Sequence, residues 1–361
     1  MNKILSIIIP TYNMETLLPR CLESLLQAGN RSALDVLVVN DGSRDGSLDV
    51  ARGYERDYPD IIQVIDKPNG NYGSTINAAL PVAKGKFVRI LDSDDWLDTT
   101  SLDMYISELE ALDSDVDMSV SHFHMRHADG TVETIKYNVY GKEPYEYGVI
   151  YDLDRVLGDG YIRFFLMHAL AYRTDMLREH SYRQSEGISY TDTQWASYPL
   201  FWARNIVFHN LVLYEYNLDR EGQTMDPAVI RKSVPQLEKM TSDMLEFFRR
   251  SMNDSEISDV RRLFLTQYLR NRIRLLTKVH LLDIPRQEFD PSGFAALDDM
   301  LSSAVTEFGM DPIRLYPENK ILRVDAYRYW KRHHDRLPVW VESLIHITDK
   351  VVKFLFVKLF H

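Results

Sequence analysis

The sequence predicts an α/β fold with a mostly parallel central sheet flanked by helices, followed by a helical C-terminal region. Strand-like and helix-like segments alternate through the first hundred residues, which is typical of strands joined by helical crossovers. Short polar clusters follow several of the strand-like runs, at the edge where such sheets bind ligands. Beyond about residue 227 the pattern is helical and strongly charged, without a clear strand.

The predicted strands are apolar runs bounded by polar or glycine-containing turns. The first, ILSIIIP, is continuous, as expected of a strand that is buried on both faces. The helix after it is predicted from apolar residues at helical spacing, Leu18, Cys21, Leu22 and Leu25. Further strands are predicted at LDVLVVN, IIQVID and KFVRIL, with helices at GSLDVARGYERDY and GSTINAALPVA. Later in the chain, Asp129-Gly130 predicts a hairpin and IVFHNLVLYEYN another strand.

The composition is that of a globular protein, and it limits the class of function. The 361-residue chain has a net charge of −11, which argues against a protein that binds nucleic acid. Cys21 is the only cysteine, so no intrachain disulfide can form and a reducing compartment is expected. The apolar run near the N-terminus is too short for a signal peptide or a membrane span. These features predict a cytoplasmic location.

The segment ILDSDDW, residues 90–96, places three carboxylates within four positions directly after a predicted strand. Like charges this close repel one another unless something positive lies between them. A metal ion, an Arg or Lys side chain, or a helix N-terminus would each serve.

Three motifs together resemble the nucleotide-sugar domain of family 2 glycosyltransferases: SIIIPTYN at 6–13, VVNDGSRDGS at 38–47 and ILDSDDW at 90–96. That family has the GT-A fold, which is Rossmann-like, and inverts the anomeric centre of the transferred sugar. The resemblance implies a GT-A domain over residues 1–226, with a nucleotide-sugar half (1–100) and an acceptor half (101–226). Residues 227–361 lie outside the resemblance and form the predicted helical C-terminal region.

The resemblance assigns the carboxylates to a metal and to the donor. Asp92-Ser93-Asp94 is similar to the family's DxD element, which implies a divalent cation, Mn²⁺ or Mg²⁺, on Asp94, with Asp92 on the sugar or ribose side. Such a cation can neutralise the charge that grows on a departing diphosphate. Helix capping is the alternative, but it accounts for Asp98 and not for Asp92 and Asp94. We therefore expect both aspartates in the metal site.

The other donor contacts also follow from the resemblance. Asp41 is implied to accept a hydrogen bond from the base, and Tyr12 to stack on it; otherwise Tyr12 is a half-buried aromatic at a strand end. Gly73 would open a helix over the donor, and Asn77 would face the donor. The predicted donor-binding residues are Pro10, Thr11, Tyr12, Asn13, Asp41, Gly42, Gly73, Asn77, Asp92, Ser93, Asp94 and Arg220.

An inverting transfer also needs a base that takes the proton from the acceptor hydroxyl. GISYTDTQW resembles the family's acceptor-side segment and implies that Asp192 is this base. Thr191 or Asp192 could instead cap the following helix, a role that is compatible with catalysis. LDREGQTM, residues 218–225, is similar to a loop that closes over the diphosphate, where Arg220 would supplement the metal.

The predicted function is transfer of a single sugar from a UDP-sugar to a glycan or lipid-linked glycan acceptor in cell-surface polysaccharide synthesis. A protein acceptor and a non-catalytic, sugar-nucleotide-binding assembly subunit are the alternatives, although a mere binder need not keep both Asp94 and Asp192. A zinc site at HFHMRH is disfavoured, because His122 and His124 share a strand face while His127 falls in the turn.

Residues 340–361 predict an amphipathic terminal helix, in which apolar residues alternate with Lys350, Lys353 and Lys358. Such a helix fits a membrane surface, which would place the protein at the inner face of the cell membrane. The alternative is a helix that docks on its own domain or on a second subunit. The sequence leaves open whether the chain forms a homodimer.

Overall fold

The computed structural model describes residues 2–112, 116–137, 144–218, 227–252, 257–310, 318–319 and 324–348. The predicted donor residue Arg220 and the last part of the predicted terminal helix, 349–361, lie outside these ranges. The chain divides into two compact units, Met1–Gln223 with Arg249–Leu265, and Thr224–Phe248 with Thr266–His361.

The first part of the first unit is a parallel sheet with helical crossovers. Its strands are β1 (Leu5–Thr11), β2 (Leu34–Asp41), β3 (Ile62–Lys67) and β4 (Phe87–Ile90), in the order β3-β2-β1-β4. The crossover helices are α1 (Leu18–Leu26), α2 (Ser47–Asp57) and α3 (Asn71–Ala79). Every residue of β1 and β2 is buried, as their continuous apolar runs predict for strands covered on both faces.

The sheet continues with mixed pairing in the second part of this unit. The strands are β5 (Trp96–Leu97), β6 (Met118–Arg126), β7 (Val132–Ile135), β8 (Ile150–Asp152), β9 (Leu170–Arg173) and β10 (Asn205–Asn217). The helices are α4 (Thr99–Ala111), α5 (Leu153–Gly158), α6 (Thr174–Glu179) and α7 (Asp192–Ser197). The full ten-stranded sheet has the order β3-β2-β1-β4-β9-β6-β10-β5, with β7 beside β6 and β8 beside β10.

Pairing directions explain how the two parts join. Strand β9 is antiparallel to both β4 and β6, so β6 and its parallel neighbour β10 run in the direction of β1–β4. The carboxyl ends of β1, β2, β4, β6 and β10 therefore lie along one edge. The predicted hairpin is confirmed: β6 and β7 are antiparallel, and Gly130 in the turn has φ +83°. The predicted α/β class is confirmed as well.

The C-terminal part of the chain is helical, as predicted. Its helices are α8 (Pro227–Lys232), α9 (Val234–Met252), α10 (Asp259–Lys278), α11 (Pro291–Glu307) and α12 (Ala326–His333), and residues 339–348 are also helical. The sequence does not predict the two-residue strands β11 (Glu318–Asn319) and β12 (Val324–Asp325), which pair with each other. Among the described residues, no helix has the length and apolar character needed to span a bilayer.

Candidate active site at the carboxyl edge of the sheet

Asp41, the last residue of β2, is held by groups from the next strand and the loop after it. Its Oδ1 accepts hydrogen bonds from Lys67 Nζ at 2.7 Å and from the Gly70 N–H at 2.9 Å. The turn after it depends on Gly42, which has φ +70° and whose added Cβ would lie 2.9 Å from the Asn69 nitrogen. The carboxylate is thus fixed at the end of the β1–β2 pair, where the resemblance places the base of the donor.

The segment after β1 presents one aromatic ring to solvent. Thr11 is buried, whereas the Tyr12 side chain is 41% exposed. Asn13 adopts φ 55° and holds the neighbouring loop, because its N–H donates to Ser43 Oγ at 3.0 Å and its Oδ1 accepts from the Arg44 N–H at 2.8 Å. Asn13 therefore shapes the loop, and Tyr12 offers the surface on which a flat ligand could stack.

The carboxylates after β4 are oriented by two tyrosines and by strand β10. Tyr72 donates its hydroxyl to Asp92 Oδ1 at 2.6 Å. Tyr214 donates to Asp95 Oδ2 at 2.5 Å, and the Asn217 N–H donates to Asp95 Oδ1 at 2.7 Å. We call residues 92–95 the carboxylate turn. Asp95 is buried and its hydrogen bonds join this turn to β10, while Asp92 and Asp94 are half-buried.

A histidine that the sequence analysis missed completes a group of potential metal ligands. Ligand atoms of Asp92, Asp95 and His168 lie within 4.8 Å of one another. Burial lowers the pKa of His168 to about 3, so its ring is in the neutral form that binds metals. The buried Nδ1 has no hydrogen-bond partner within the described ranges. Two carboxylates and a neutral imidazole suit a divalent cation such as Mn²⁺.

The charge of the turn favours a cation in the same place. Burial raises the pKa of Asp95 well above its usual range, and the nearby carboxylates of Asp92 and Asp94 raise it further. A bound cation would relieve this crowding. Asp94, the predicted direct ligand, is outside the gathered group, and its backbone oxygen accepts a hydrogen bond from Asn217 Nδ2 at 3.3 Å.

Gly73 and Asn77 hold another segment of the chain. Helix α3 begins at Asn71, two residues before Gly73, and a Cβ on Gly73 would lie 2.1 Å from the Ser185 oxygen. Asn77 Nδ2 donates to the Gln184 oxygen at 2.9 Å and to Glu186 Oε1 at 2.8 Å, and its Oδ1 accepts from the Gln184 N–H at 2.9 Å. Both residues therefore position the segment 184–186, which leads to α7.

Asp192 is exposed and is the first residue of α7. The preceding Thr191 occupies the N-cap position, but its side chain makes no capping hydrogen bond. Burial and the charge of Asp92 raise the pKa of Tyr72, and the charge of Asp192 raises it further. Because Tyr72 is bonded to Asp92, the charge of Asp192 reaches the carboxylate turn. Burial and the charge of Asp95 raise the pKa of the half-buried Tyr216, and Asp92 and Asp192 raise it further. The predicted base and the predicted donor carboxylate thus act on the same two hydroxyls.

The histidines of HFHMRH make separate contacts. His124 Nδ1 lies 2.8 Å from Glu215 Oε1, and His122 Nε2 lies 3.4 Å from the Tyr147 hydroxyl. They form no metal-binding group within the described residues.

Comparison with solved structures gives the fold. S. aureus TarS 1-349 in complex with UDP matches with a TM-score of 0.60 at 19% identity, over 92% of this chain and 88% of that one. The mannosyltransferase PcManGT from Pyrobaculum calidifontis, in complex with GDP-Man and Mn²⁺, matches with a TM-score of 0.50 at 14% identity, over 97% of this chain and 88% of that one. At these identities the likeness is one of fold, and it confirms the predicted GT-A fold.

Sequence comparison gives the family. The model for "Glycosyl transferase family 2" matches residues 6–180. The putative glycosyltransferase EpsH of Bacillus subtilis (strain 168) is 27% identical over 218 residues, which are 59% of this chain and 60% of EpsH. The chain thus spans less than two thirds of that relative's length. Through residues 6–180 it belongs to glycosyl transferase family 2, as its three motifs predicted.

Proposed function

We propose that this protein is an inverting glycosyltransferase that moves one sugar from a UDP-sugar to a glycan or lipid-linked glycan acceptor in cell-surface polysaccharide synthesis. One observation carries the proposal: the Tyr72 hydroxyl donates to Asp92 Oδ1 at 2.6 Å, and the charge of the exposed Asp192 carboxylate reaches the same tyrosine. A donor-side carboxylate and a second carboxylate that can act as base at one site are what a single displacement requires. Family membership and the UDP complex of the TarS neighbour support the donor class.

In the proposed step, the acceptor oxygen bonds to the anomeric carbon as the bond from that carbon to the diphosphate oxygen breaks. The electron pair of the broken bond leaves with UDP, and the acceptor proton passes to the Asp192 carboxylate. Asp192 suits this role because it is exposed in the first turn of α7, where an acceptor can reach it. Attack from the face opposite the leaving group inverts the configuration.

The proposed donor site extends from the base end to the carboxylate turn. Tyr12 and Asp41 would bind the base, and Asp92 and Asp94 would bind the sugar, the diphosphate and the metal. We propose His168 as a neutral ligand of the same cation, because it lies with Asp92 among the gathered ligand atoms. A bound Mn²⁺ or Mg²⁺ would neutralise charge on the diphosphate. Arg220 remains part of the proposal and lies outside the described residues.

A lipid-linked acceptor is supported by the helical segment 339–348. It exposes apolar side chains to solvent, among them Val339, Trp340 (68% exposed), Leu344 and Ile347. An apolar helix face followed by a lysine-containing segment fits the surface of a bilayer with anionic lipids. We propose a cytoplasmic protein that contacts the inner face of the cell membrane through residues 340–361. A protein acceptor is the second candidate.

The first test is calorimetric titration of UDP and GDP into the full chain, with and without Mn²⁺. We expect UDP to bind only with Mn²⁺, and Asp94→Ala to abolish this binding. The second test is transfer activity of Asp192→Asn, which should fall by about 10²–10⁴-fold while UDP affinity stays unchanged. Asp175→Asn is the matched control, because Asp175 is an exposed acid in the first turn of the equally short helix α6.

Absence of binding to either diphosphate with Mn²⁺ or Mg²⁺ would show that the proposed function is wrong. Retention of full activity by Asp192→Asn would reject Asp192 as the base but leave the donor site in place. A chain that binds UDP but never transfers or hydrolyses a UDP-sugar would favour the non-catalytic alternative.

A further inference from the structure

Two arginines from distant parts of the chain meet on one tryptophan beside the carboxylate turn. Trp96 follows Asp95 directly and is the first residue of β5. The guanidinium carbon of Arg20, from α1, lies 3.1 Å from the centroid of the Trp96 ring. The guanidinium carbon of Arg126, at the carboxyl end of β6, lies 5.6 Å from the same centroid. We call Arg20, Trp96 and Arg126 the arginine–tryptophan cluster.

The cluster places two guanidiniums beside one carboxylate at hydrogen-bonding distance. Its neighbour Glu215 is buried, pairs with Trp96 in the strand register, and accepts a hydrogen bond from Arg126 Nε at 2.5 Å. Within the described ranges, Arg20 has no carboxylate at ion-pair distance. Burial and the charge of Arg126 both lower the pKa of Arg20, which shows that the two cations act on each other. Glu215 and Asp95 act on Arg20 in the opposite direction and raise its pKa.

The arginines are arranged to bind an oxyanion. A guanidinium stacked on an aromatic ring keeps its N–H groups at the edge, where they can form paired hydrogen bonds with phosphate oxygens. Arg126 uses Nε for Glu215. In the described part of the chain its terminal nitrogens have no hydrogen bond. Stacking on Trp96 thus orders the Arg20 fork, and the bond to Glu215 holds Arg126 through Nε, so the terminal N–H groups of Arg126 are not used up.

The cluster lies on the acceptor side of the sheet. Asp41, where the donor base is proposed to bind, ends β2, whereas Arg126 ends β6, four strands further along the order β2-β1-β4-β9-β6. Four strand spacings amount to about 19 Å. The carboxylate turn connects the two regions, since Trp96 follows Asp95 in the chain. An anion on the cluster would therefore lie beyond the donor diphosphate, on the side from which an acceptor approaches.

We propose that Arg20, ordered by Trp96, and Arg126, held by Glu215, bind a phosphodiester group of the acceptor. This inference rests on the proposed function, because it takes the carboxylate turn as the place of transfer. A phosphodiester has two free oxygens, which match a guanidinium fork, and its single negative charge suits Arg20, which has no carboxylate at ion-pair distance within the described ranges. The preferred acceptor is then a polyol or glycan chain with phosphodiester links, rather than a neutral glycan.

The test is titration of glycerophosphoglycerol, a small phosphodiester, into the full chain, with uncharged triglycerol as the matched neutral probe. We expect glycerophosphoglycerol to bind and triglycerol not to bind. Arg20→Gln should weaken the binding by about tenfold, and Arg20→Lys by less, because lysine keeps the charge but loses the fork. Arg20 is the preferred position, since its removal leaves no buried carboxylate without its partner. Arg56→Gln, an exposed arginine of α2, is the control and should bind as the wild type does.

Titration of UDP with Mn²⁺ into the same proteins separates this inference from the proposed function. We expect UDP to bind equally to wild type, Arg20→Gln and Arg56→Gln. Equal binding of glycerophosphoglycerol to wild type and Arg20→Gln, or equal binding of both probes to the wild type, would overturn the inference alone. Phosphodiester binding in a wild type that does not bind UDP would overturn the proposed function and the acceptor assignment with it.

Discussion

Replacing Asn77 with alanine should lower the free energy of unfolding and displace the segment 184–186, because Asn77 makes three hydrogen bonds to that segment. Two of them join the Asn77 amide to the backbone of Gln184, which is buried, and the third reaches the exposed Glu186. The alanine variant would leave the N–H and the carbonyl of Gln184 buried without these partners. Buried polar groups that lose their hydrogen-bond partners cost about 1–3 kcal/mol each, so the free energy of unfolding should fall by about 3 kcal/mol. The bond to Glu186 adds little because it is exposed.

The same variant should affect catalysis through α7. The Ser185 N–H donates to Gln194 Oε1 at 2.8 Å, and Gln194 Nε2 donates to Ser185 Oγ at 2.8 Å. Gln194 lies in α7, two residues after Asp192. Displacement of the segment 184–186 should therefore move the proposed base. We expect kcat to fall by about tenfold or more, since small misplacements of a base are costly. Affinity for UDP should stay unchanged, because the side-chain hydrogen bonds of Asn77 run to Gln184 and Glu186.

Urea denaturation and steady-state kinetics measure the two effects on one preparation of Asn77→Ala. Gln194→Ala serves as the matched comparison, because it releases the same segment from the opposite side and should reproduce the loss of kcat. A variant of wild-type stability that binds UDP ten times more weakly would refute this reasoning. It would favour instead the direct donor contact that the resemblance implied for Asn77.

Three further predictions concern stability. Gly73→Ala should lower the free energy of unfolding by about 3 kcal/mol, because its Cβ would lie 2.1 Å from the Ser185 oxygen. Gly53→Ala is the control: the atom nearest to its Cβ is 3.9 Å away, so this variant should raise the free energy of unfolding by about 0.5–1 kcal/mol in parallel denaturation curves. Tyr214→Phe removes a donor from the buried Asp95 and should cost about 2 kcal/mol in the same assay; no change would show that the hydrogen bond is dispensable. Burial lowers the pKa of His122 from 6.5 to about 4, and the charges of Lys136 and His209 contribute. As the pH drops below 6.5, the unfolded chain takes up a proton at His122 before the folded chain does, so stability falls between pH 6.5 and pH 4. Between pH 7 and pH 5, wild type should lose about 1–2 kcal/mol more than His122→Gln, and parallel pH profiles would contradict this.

Local sequence patterns predicted the parallel half of the sheet. A strand such as β2 is buried along its whole length, so its entire run is apolar and can be recognised without knowledge of its neighbours. The polar clusters at 10–13, 41–42 and 92–95 were predicted to share an edge because parallel strands end on the same side. This reasoning needs only strand direction, and the structure places all three clusters at that edge.

Local sequence patterns could not predict the contacts that form when strands distant in the chain pair with each other. His168 approaches Asp92 because β9, which begins two residues later, pairs with β4 in the antiparallel direction. No spacing in the sequence signals that pairing. The resemblance likewise suggested a donor contact for Asn77, whose hydrogen bonds run to residues more than a hundred positions away. The sequence signal that could have drawn attention to His168 is that it is a polar residue inside the apolar stretch FFLMHALAY.

The surroundings of Asp95 bear on the question that the sequence raised about three crowded carboxylates. The two described hydrogen bonds of its side chain come from the Tyr214 hydroxyl and the Asn217 backbone N–H, which are neutral donors that orient a carboxylate without cancelling its charge. The buried guanidinium of Arg89 lies on the preceding strand, yet its Nη2 donates to the His168 carbonyl at 2.7 Å. This bond fixes the backbone of the potential metal ligand instead of neutralising the turn. A cation that arrives with the donor would then meet carboxylates that are already oriented, which is the arrangement that favours binding of metal and diphosphate together.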